Sequence, residues 1–280
     1  MNAGDRVSIV GLGLIGGSLA RDLSARGVRV SAYDADPTHL AAAERDGIVD
    51  RSLDASLSDA GDADVIIIAV PVDSAIDVLG CVAKRGTRAT LITDVGSTKG
   101  RIVDAATTLG VGDRFVGSHP LAGDHRSGWS ASRANLFADA RVYLCPTAQS
   151  ATGTIDLASN FWTELGARPT VLPADAHDRK LAWTSHLPHV VSAALALALA
   201  RAGVKRDDRG PGGRDVTRLA GSSPEVWTAI ARENAVAIDA AISEAQRELA
   251  SFRDALNRTD SRDLHHRFLT ARAWFDEGPG

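Results

Sequence analysis

Short runs of β-branched and aliphatic residues recur through the first half of the chain, each followed by a longer stretch of mixed polarity. Residues 6–10, 28–33, 64–70, 90–93, 115–118, 141–145 and 169–172 carry the strand pattern. The run at 64–70 is apolar after its first residue, as in a strand covered on both faces of a parallel sheet. A helix near residues 18–26 separates the first two runs, and the alternation continues. Strand then helix, repeated, predicts a doubly wound α/β domain over residues 1–173. Past Pro173 the period changes. Residues 175–184, 188–202, 214–220, 224–256 and 261–275 read as helices, so residues 174–280 form an all-helical second domain. The Gly/Arg-rich stretch 203–213 reads as a mobile loop. Residues 190–200 are apolar throughout, which predicts a helix buried on most sides, with a second subunit available to supply cover. That run is too short to cross a bilayer, which takes about 20 residues.

Composition narrows the function classes. Hydrophobic residues make up 44 % of the 280 and charged residues 24 %, the balance of a soluble globular protein. The net charge of −4 comes from 31 basic and 35 acidic residues without a basic block, which argues against nucleic acid as a partner. The N-terminus runs directly into strand-like sequence and carries no secretory signal pattern. Cys81 and Cys145 are far apart, read as small buried hydrophobes, and fit a reducing cytoplasm.

The first strand runs into Gly11-Leu12-Gly13-Leu14-Ile15-Gly16, the glycine fingerprint of a Rossmann-type dinucleotide site. Gly11 permits the tight turn, Gly13 lets the backbone approach a pyrophosphate, and Gly16 lets helix and strand pack closely. The second strand ends on Asp34, about 20 residues further on, where a carboxylate binds ribose hydroxyls. No arginine or lysine occurs from Ala35 to Glu44, so a 2′-phosphate would meet Asp34 and Asp36 without compensation, which favours NAD over NADP. The predicted cofactor set is Gly11, Gly13, Leu14, Ile15, Gly16, Asp34, Val70 and Pro71.

Two segments at strand ends carry candidate chemistry: residues 94–99, with Ser97, and residues 117–123, with His119. Ligands of open α/β sheets bind at the carboxyl ends of strands, so these two side chains can meet at the nicotinamide. An imidazole beside a hydroxylated carbon takes its proton while hydride leaves for the cofactor. In the helical half, His189 is a substrate contact and Arg218 a carboxylate clamp, because the guanidinium fork makes two parallel bonds. Arg214 is the weaker clamp candidate. His186 and His189 lack the companions of a metal site, and no metal is expected.

Together GLGLIGGSLA (11–20), DVGSTK (94–99), SHPLAG (118–123), SHLPH (185–189) and DVTRLA (215–220) resemble the prephenate/arogenate (cyclohexadienyl) dehydrogenase family, in order and over most of the chain. The resemblance implies NAD-dependent oxidative decarboxylation of prephenate or arogenate, and a homodimer built through the helical domain. It implies that His119 deprotonates the ring hydroxyl, so activity falls as pH drops through its pKa. Ser97 would orient that hydroxyl, Arg218 would hold a carboxylate and His189 would line the same pocket. The family's common glutamate two residues after SHPLAG is replaced here by His125. Asp124, His125 and Asp178 are candidates for telling prephenate from arogenate. Other readings are a β-hydroxyacid dehydrogenase using Lys180 or Lys205, and a non-catalytic NAD-binding sensor.

Overall fold

The computed structural model describes residues 3–123 and 126–277, and the chain forms two compact units, Met1–Asn234 and Ala235–Gly280. The first unit opens with β1 (Arg6–Val10), α1 (Leu14–Ser24), β2 (Arg29–Tyr33), α2 (Pro37–Arg45), β3 (Arg51–Ser52), β4 (Val65–Ile68), α3 (Val72–Arg85), β5 (Leu91–Asp94) and α4 (Gly100–Thr108). Its strands make one parallel sheet in the order β3-β2-β1-β4-β5. Strand side chains alternate between faces. Val7, Ile9, Val65, Ile67 and Leu91 therefore enter one apolar core, and Val10, Ile66, Ile68 and Ile92 the other.

Three further strands extend the domain: β6 (Val116–Pro120), β7 (Arg141–Pro146) and, after α5 (Thr152–Glu164), β8 (Arg168–Val171). A parallel bridge from Ile92 to Phe115 links β5 to the start of β6. These three strands form a second sheet in the order β6-β7-β8, in which β7 runs antiparallel to β6 and parallel to β8. Among the described residues joining β6 to β7 there is only a single turn of 3-10 helix at Trp129–Ala131. Without a helical crossover the chain returns alongside the strand it left.

Helices α6 (Ala174–Leu181), α7 (Leu187–Arg201), α8 (Pro211–Thr217) and α9 (Pro224–Glu233) complete the unit. Three sequence expectations change here. The stretch 203–213 is not simply a loop: a 3-10 turn forms at Arg206–Asp208, and Pro211 opens α8, where its missing N–H costs nothing. The helix expected over 224–256 breaks at Asn234. Helix α7 is not covered on most sides within the chain, since Val191 and Leu197 are exposed and only Ser192 is buried. Cys145 is buried, its thiol pushed up to about 12 by desolvation, but Cys81 is exposed rather than a core residue.

The second unit is a helical hairpin of α10 (Ala235–Asn257) and α11 (Ser261–Asp276). Asp260 caps α11 by accepting from the Asp263 N–H at 3.0 Å, and Phe252 meets Phe268 at 5.3 Å between ring centres. Trp274 and Phe275 lie open to solvent. No helix among the described residues is long and apolar enough to cross a membrane.

Candidate active site

The glycine turn joins β1 to α1 in the middle of the parallel sheet. Gly11 has φ +100°, and a Cβ there would meet the Ala69 carbonyl oxygen at 2.3 Å. A Cβ on Gly16 would stand 2.0 Å from the Gly11 carbonyl oxygen, so helix and strand pack at a distance only glycine allows. Gly13, the N-cap of α1, faces open space, which leaves the helix N-terminus accessible to a pyrophosphate. Asp34, at the end of β2, accepts from the Leu12 N–H, and its other oxygen accepts from the Asp36 N–H at 2.8 Å. Val70 lies against Gly11, and Pro71 precedes α3 at the end of β4. These residues share the carboxyl edge of the sheet, with an open glycine backbone and a carboxylate at the end of β2, the features a dinucleotide site uses. His39, overlooked in the sequence, lies 3.3 Å from Asp34 and 3.8 Å from Asp36.

His119 sits on β6 with its ring in a buried chain of hydrogen bonds. Its Nδ1 is 2.9 Å from Nε2 of His177, whose Nδ1 is 2.8 Å from Oδ1 of Asp178. Asp178 also accepts from the Lys99 and Gly100 N–H groups at 2.9 and 2.8 Å, at the N-terminus of α4. Burial alone would raise the Asp178 pKa. The bonds from His177 and the two amides outweigh it and hold the carboxyl below its usual range. A carboxylate only accepts, so His177 Nδ1 carries hydrogen and its Nε2 presents a lone pair. His119 must then donate from Nδ1, which leaves its Nε2 as the unprotonated nitrogen. Burial first, then unfavourable interactions with the neighbouring His177, Lys99 and His186, push the His119 pKa well below the ordinary histidine value. His119 is thus a neutral imidazole with a fixed tautomer and one free lone pair.

Strand alternation sends the neighbouring side chain, Ser118, the other way. Its hydroxyl accepts from Trp162 Nε1 at 2.9 Å and bonds Thr93 at 2.8 Å, which locks β6 beside β5. Beneath the histidines lies a fully buried Lys99, ion-paired to Asp94 and donating to the Ser118 carbonyl at 2.8 Å. A buried charge persists only when paired and bonded, and Lys99 meets both conditions.

Ser97 and His119 line one cavity of about 390 Å3 with Tyr143, Lys180, His186 and Trp227. Its far wall is a turn of π-helix at Ala182–His186, a geometry that concentrates at functional sites. Pro188 explains its position: proline cannot donate to the Thr184 carbonyl four residues back, so the helical ladder loses its register there. His186 is buried, and desolvation lowers its pKa to about 4. Its Nδ1 accepts from the side-chain amide of Asn234 at 3.1 Å, so Nε2 carries hydrogen. That same amide, at the C-cap of α9, donates to the Asp178 carbonyl at 2.8 Å.

The sequence candidates divide between two cavities. Ser97 and His119 share the one just described. His189 donates from Nδ1 to the Ser185 carbonyl at 3.0 Å and stacks on Trp227 with 3.5 Å between ring centres. Burial and the charge of Arg218 lower its pKa. Arg218 is exposed and lines a neighbouring cleft of about 1200 Å3 beside Arg209, Arg214 and Asp215. Arg209 and Arg214 are bonded to backbone carbonyls, whereas Arg218 has no ion-pair partner among the described residues. Trp227 lines the His119 cavity, whereas His189, stacked on it, lines neither cavity. Asp178, considered above for telling two substrates apart, is occupied by His177 and two amides. Asp124 and His125 lie outside the described residues. The sequence singled out Asp178, though not for its bond to His177, and it gave no sign of His177, Asn234 or Trp227.

The contact between the two halves of the site is direct: a Cβ on Gly123 would meet Leu14 at 3.3 Å and Ile15 at 3.8 Å. The sequence pattern described as "Prephenate dehydrogenase, nucleotide-binding domain" matches residues 19–171, and "Prephenate dehydrogenase, dimerization domain" matches residues 173–270. A prephenate dehydrogenase of Bacillus subtilis is 34 % identical over 284 residues, covering 98 % of this chain and 76 % of that protein. A cyclohexadienyl dehydrogenase of Zymomonas mobilis is 32 % identical, covering 94 % of this chain and 92 % of its own. The crystal structure of prephenate dehydrogenase from A. aeolicus in complex with hydroxyphenyl propionate and NAD+ superposes with a TM-score of 0.90 at 28 % identity, over 98 % of each chain.

Proposed function

The chain belongs to the prephenate dehydrogenase family, and from that premise we propose that it catalyses the NAD-dependent oxidative decarboxylation of prephenate, or of arogenate, in tyrosine biosynthesis. The products are 4-hydroxyphenylpyruvate or tyrosine, with CO2. The observation that carries this reading is the Asp178–His177–His119 chain, which presents an unprotonated Nε2 from a neutral, buried imidazole. Such a nitrogen serves as a general base.

Bound NAD supplies the hydride acceptor at the open end of the sheet, where Gly13 and Asp34 fit its pyrophosphate and ribose. His119 Nε2 takes the proton of the ring hydroxyl as the carbon beneath loses hydride. The bond to the ring carboxylate then breaks, its electron pair enters the ring, and CO2 departs. His119 returns the proton to the product oxygen, so the base is regenerated. Aromatisation makes the sequence effectively irreversible. Ser97 orients the hydroxyl from the same cavity wall, His189 holds Trp227 in place beside the ring, and Arg218 holds a carboxylate from the adjoining cleft.

Residues 1–173 act as the cofactor domain and 174–280 as the substrate and dimer domain. A homodimer accounts for the apolar side chains that α7 leaves exposed. Two free thiols and a biosynthetic role fit the cytoplasm. The test is NADH formation by the purified protein with prephenate and arogenate in parallel. Turnover of either supports the reading, and none from a folded, NAD-binding protein refutes it.

A further inference from the structure

Lys180 belongs to none of the motifs above, yet its side chain enters the His119 cavity. It projects from α6 with Nζ 5.8 Å from the centre of the Tyr143 ring, and Tyr143 packs edge-on against His177. Arg141, at the start of β7, lines the same cavity. Both are exposed at its mouth, and neither makes an ion pair or side-chain hydrogen bond among the described residues. Other cations near this site are paired: Lys99 with Asp94, Arg101 with Glu233, Arg179 with Asp175. Two cations without an ion-pair partner among the described residues therefore share the rim of one cavity.

The wall behind them carries no carboxylate among the described residues. Asp178, directly behind His177, is only 13 % exposed, and its two oxygens take three hydrogen bonds. Asp94 is buried under Lys99. Among the described residues a substrate ammonium entering this cavity finds cations and no acidic partner, whereas a carboxylate beside a neutral keto group finds both charges complementary. Prephenate carries two carboxylates; arogenate carries the same two with an ammonium in place of the keto oxygen.

We infer that Lys180 and Arg141 form a cationic rim that selects the keto acid over the amino acid. This rests on the decarboxylating reading above and adds the substrate preference. The rim acts on binding, because it lies at the mouth, away from the proton-accepting nitrogen. Exposed charges act through solvent, so their effect is modest and screened by salt.

The experiment compares kcat/KM for prephenate and arogenate in the wild type, Lys180→Gln, Arg141→Gln and the double variant. The wild type is expected to favour prephenate. The double variant should lose about tenfold in kcat/KM for prephenate, mostly through KM, and much less for arogenate. Raising ionic strength should raise the wild-type KM for prephenate more than that for arogenate, and the double variant should show little of this difference. A wild type that prefers arogenate, or variants that leave the ratio unchanged while turning over both substrates, would overturn the rim alone. A folded wild type that binds NAD and oxidises neither substrate would instead overturn the reading beneath it.

Discussion

Replacing His177 by leucine isolates one hydrogen bond. His177 is completely buried and touches neither cofactor edge nor cavity mouth, so leucine keeps apolar volume in place and removes only the ring nitrogens. Asp178 keeps both backbone amide donors at the start of α4 and remains satisfied. His119 alone loses its partner, the acceptor 2.9 Å from Nδ1. The tautomer with hydrogen on Nδ1 now buries an unmatched donor, at about 1–3 kcal/mol. The ring relieves this by moving the proton to Nε2, which faces the substrate and then cannot accept. Restoring the reactive tautomer costs the same energy in every turnover, so kcat should fall about 5- to 150-fold. KM and NAD affinity should barely move, because no substrate contact is lost. His177→Gln offers an oxygen to His119 and an amide hydrogen to Asp178, and should recover part of the rate. Steady-state NADH formation with saturating substrate gives kcat, with thermal melting and NAD titration as controls. A leucine variant that folds, binds NAD and keeps kcat within about twofold would show that His177 does not set the tautomer.

His119→Asn should cut kcat by about two to four orders of magnitude and leave NAD binding intact, measured by turnover beside a binding titration; near-normal turnover would remove His119 as the base. Gly16→Ala should abolish NAD binding or folding, because its Cβ would overlap the Gly11 carbonyl oxygen at 2.0 Å; calorimetry with NAD reads the loss. His186 is held neutral in the fold, with its pKa near 4 against about 6.5 in the unfolded chain. Above the unfolded value both states are neutral and stability is flat. As pH falls from about 6.5 towards 4, only the unfolded chain takes the proton, so stability drops by roughly 3 kcal/mol for this residue. Denaturant melts across that range should show the slope, and His186→Gln should flatten it. Arg218→Ala should raise KM for substrate about tenfold or more with a smaller change in kcat, and an unchanged KM would remove Arg218 from substrate binding.

Local pattern and motif carried much of this protein. The apolar run at 64–70 marked a strand covered on both faces, and β4 is buried along its whole length. The glycine spacing implied a tight turn, and Gly11 takes φ +100°, a conformation set by local backbone sterics, although the close approach to Ala69 needs the packed sheet. The helical second half was visible in the change of period after Pro173. Contacts between distant segments were not. The antiparallel return of β7 depends on a connection without a helix, and Asn234, at the end of α9, bonds Asp178 and His186 from far away in sequence. Ser97 and His119 could be named from their motifs, but not the tautomer of His119. That is decided by His177 and Asp178, more than fifty residues away in sequence and within hydrogen-bond reach in space. The sequence alone determined which groups are available and which strand ends present them. Only the tertiary structure decided where each proton sits and which charges stay unpaired, because burial and hydrogen-bond partners are set by packing between segments that the chain keeps far apart.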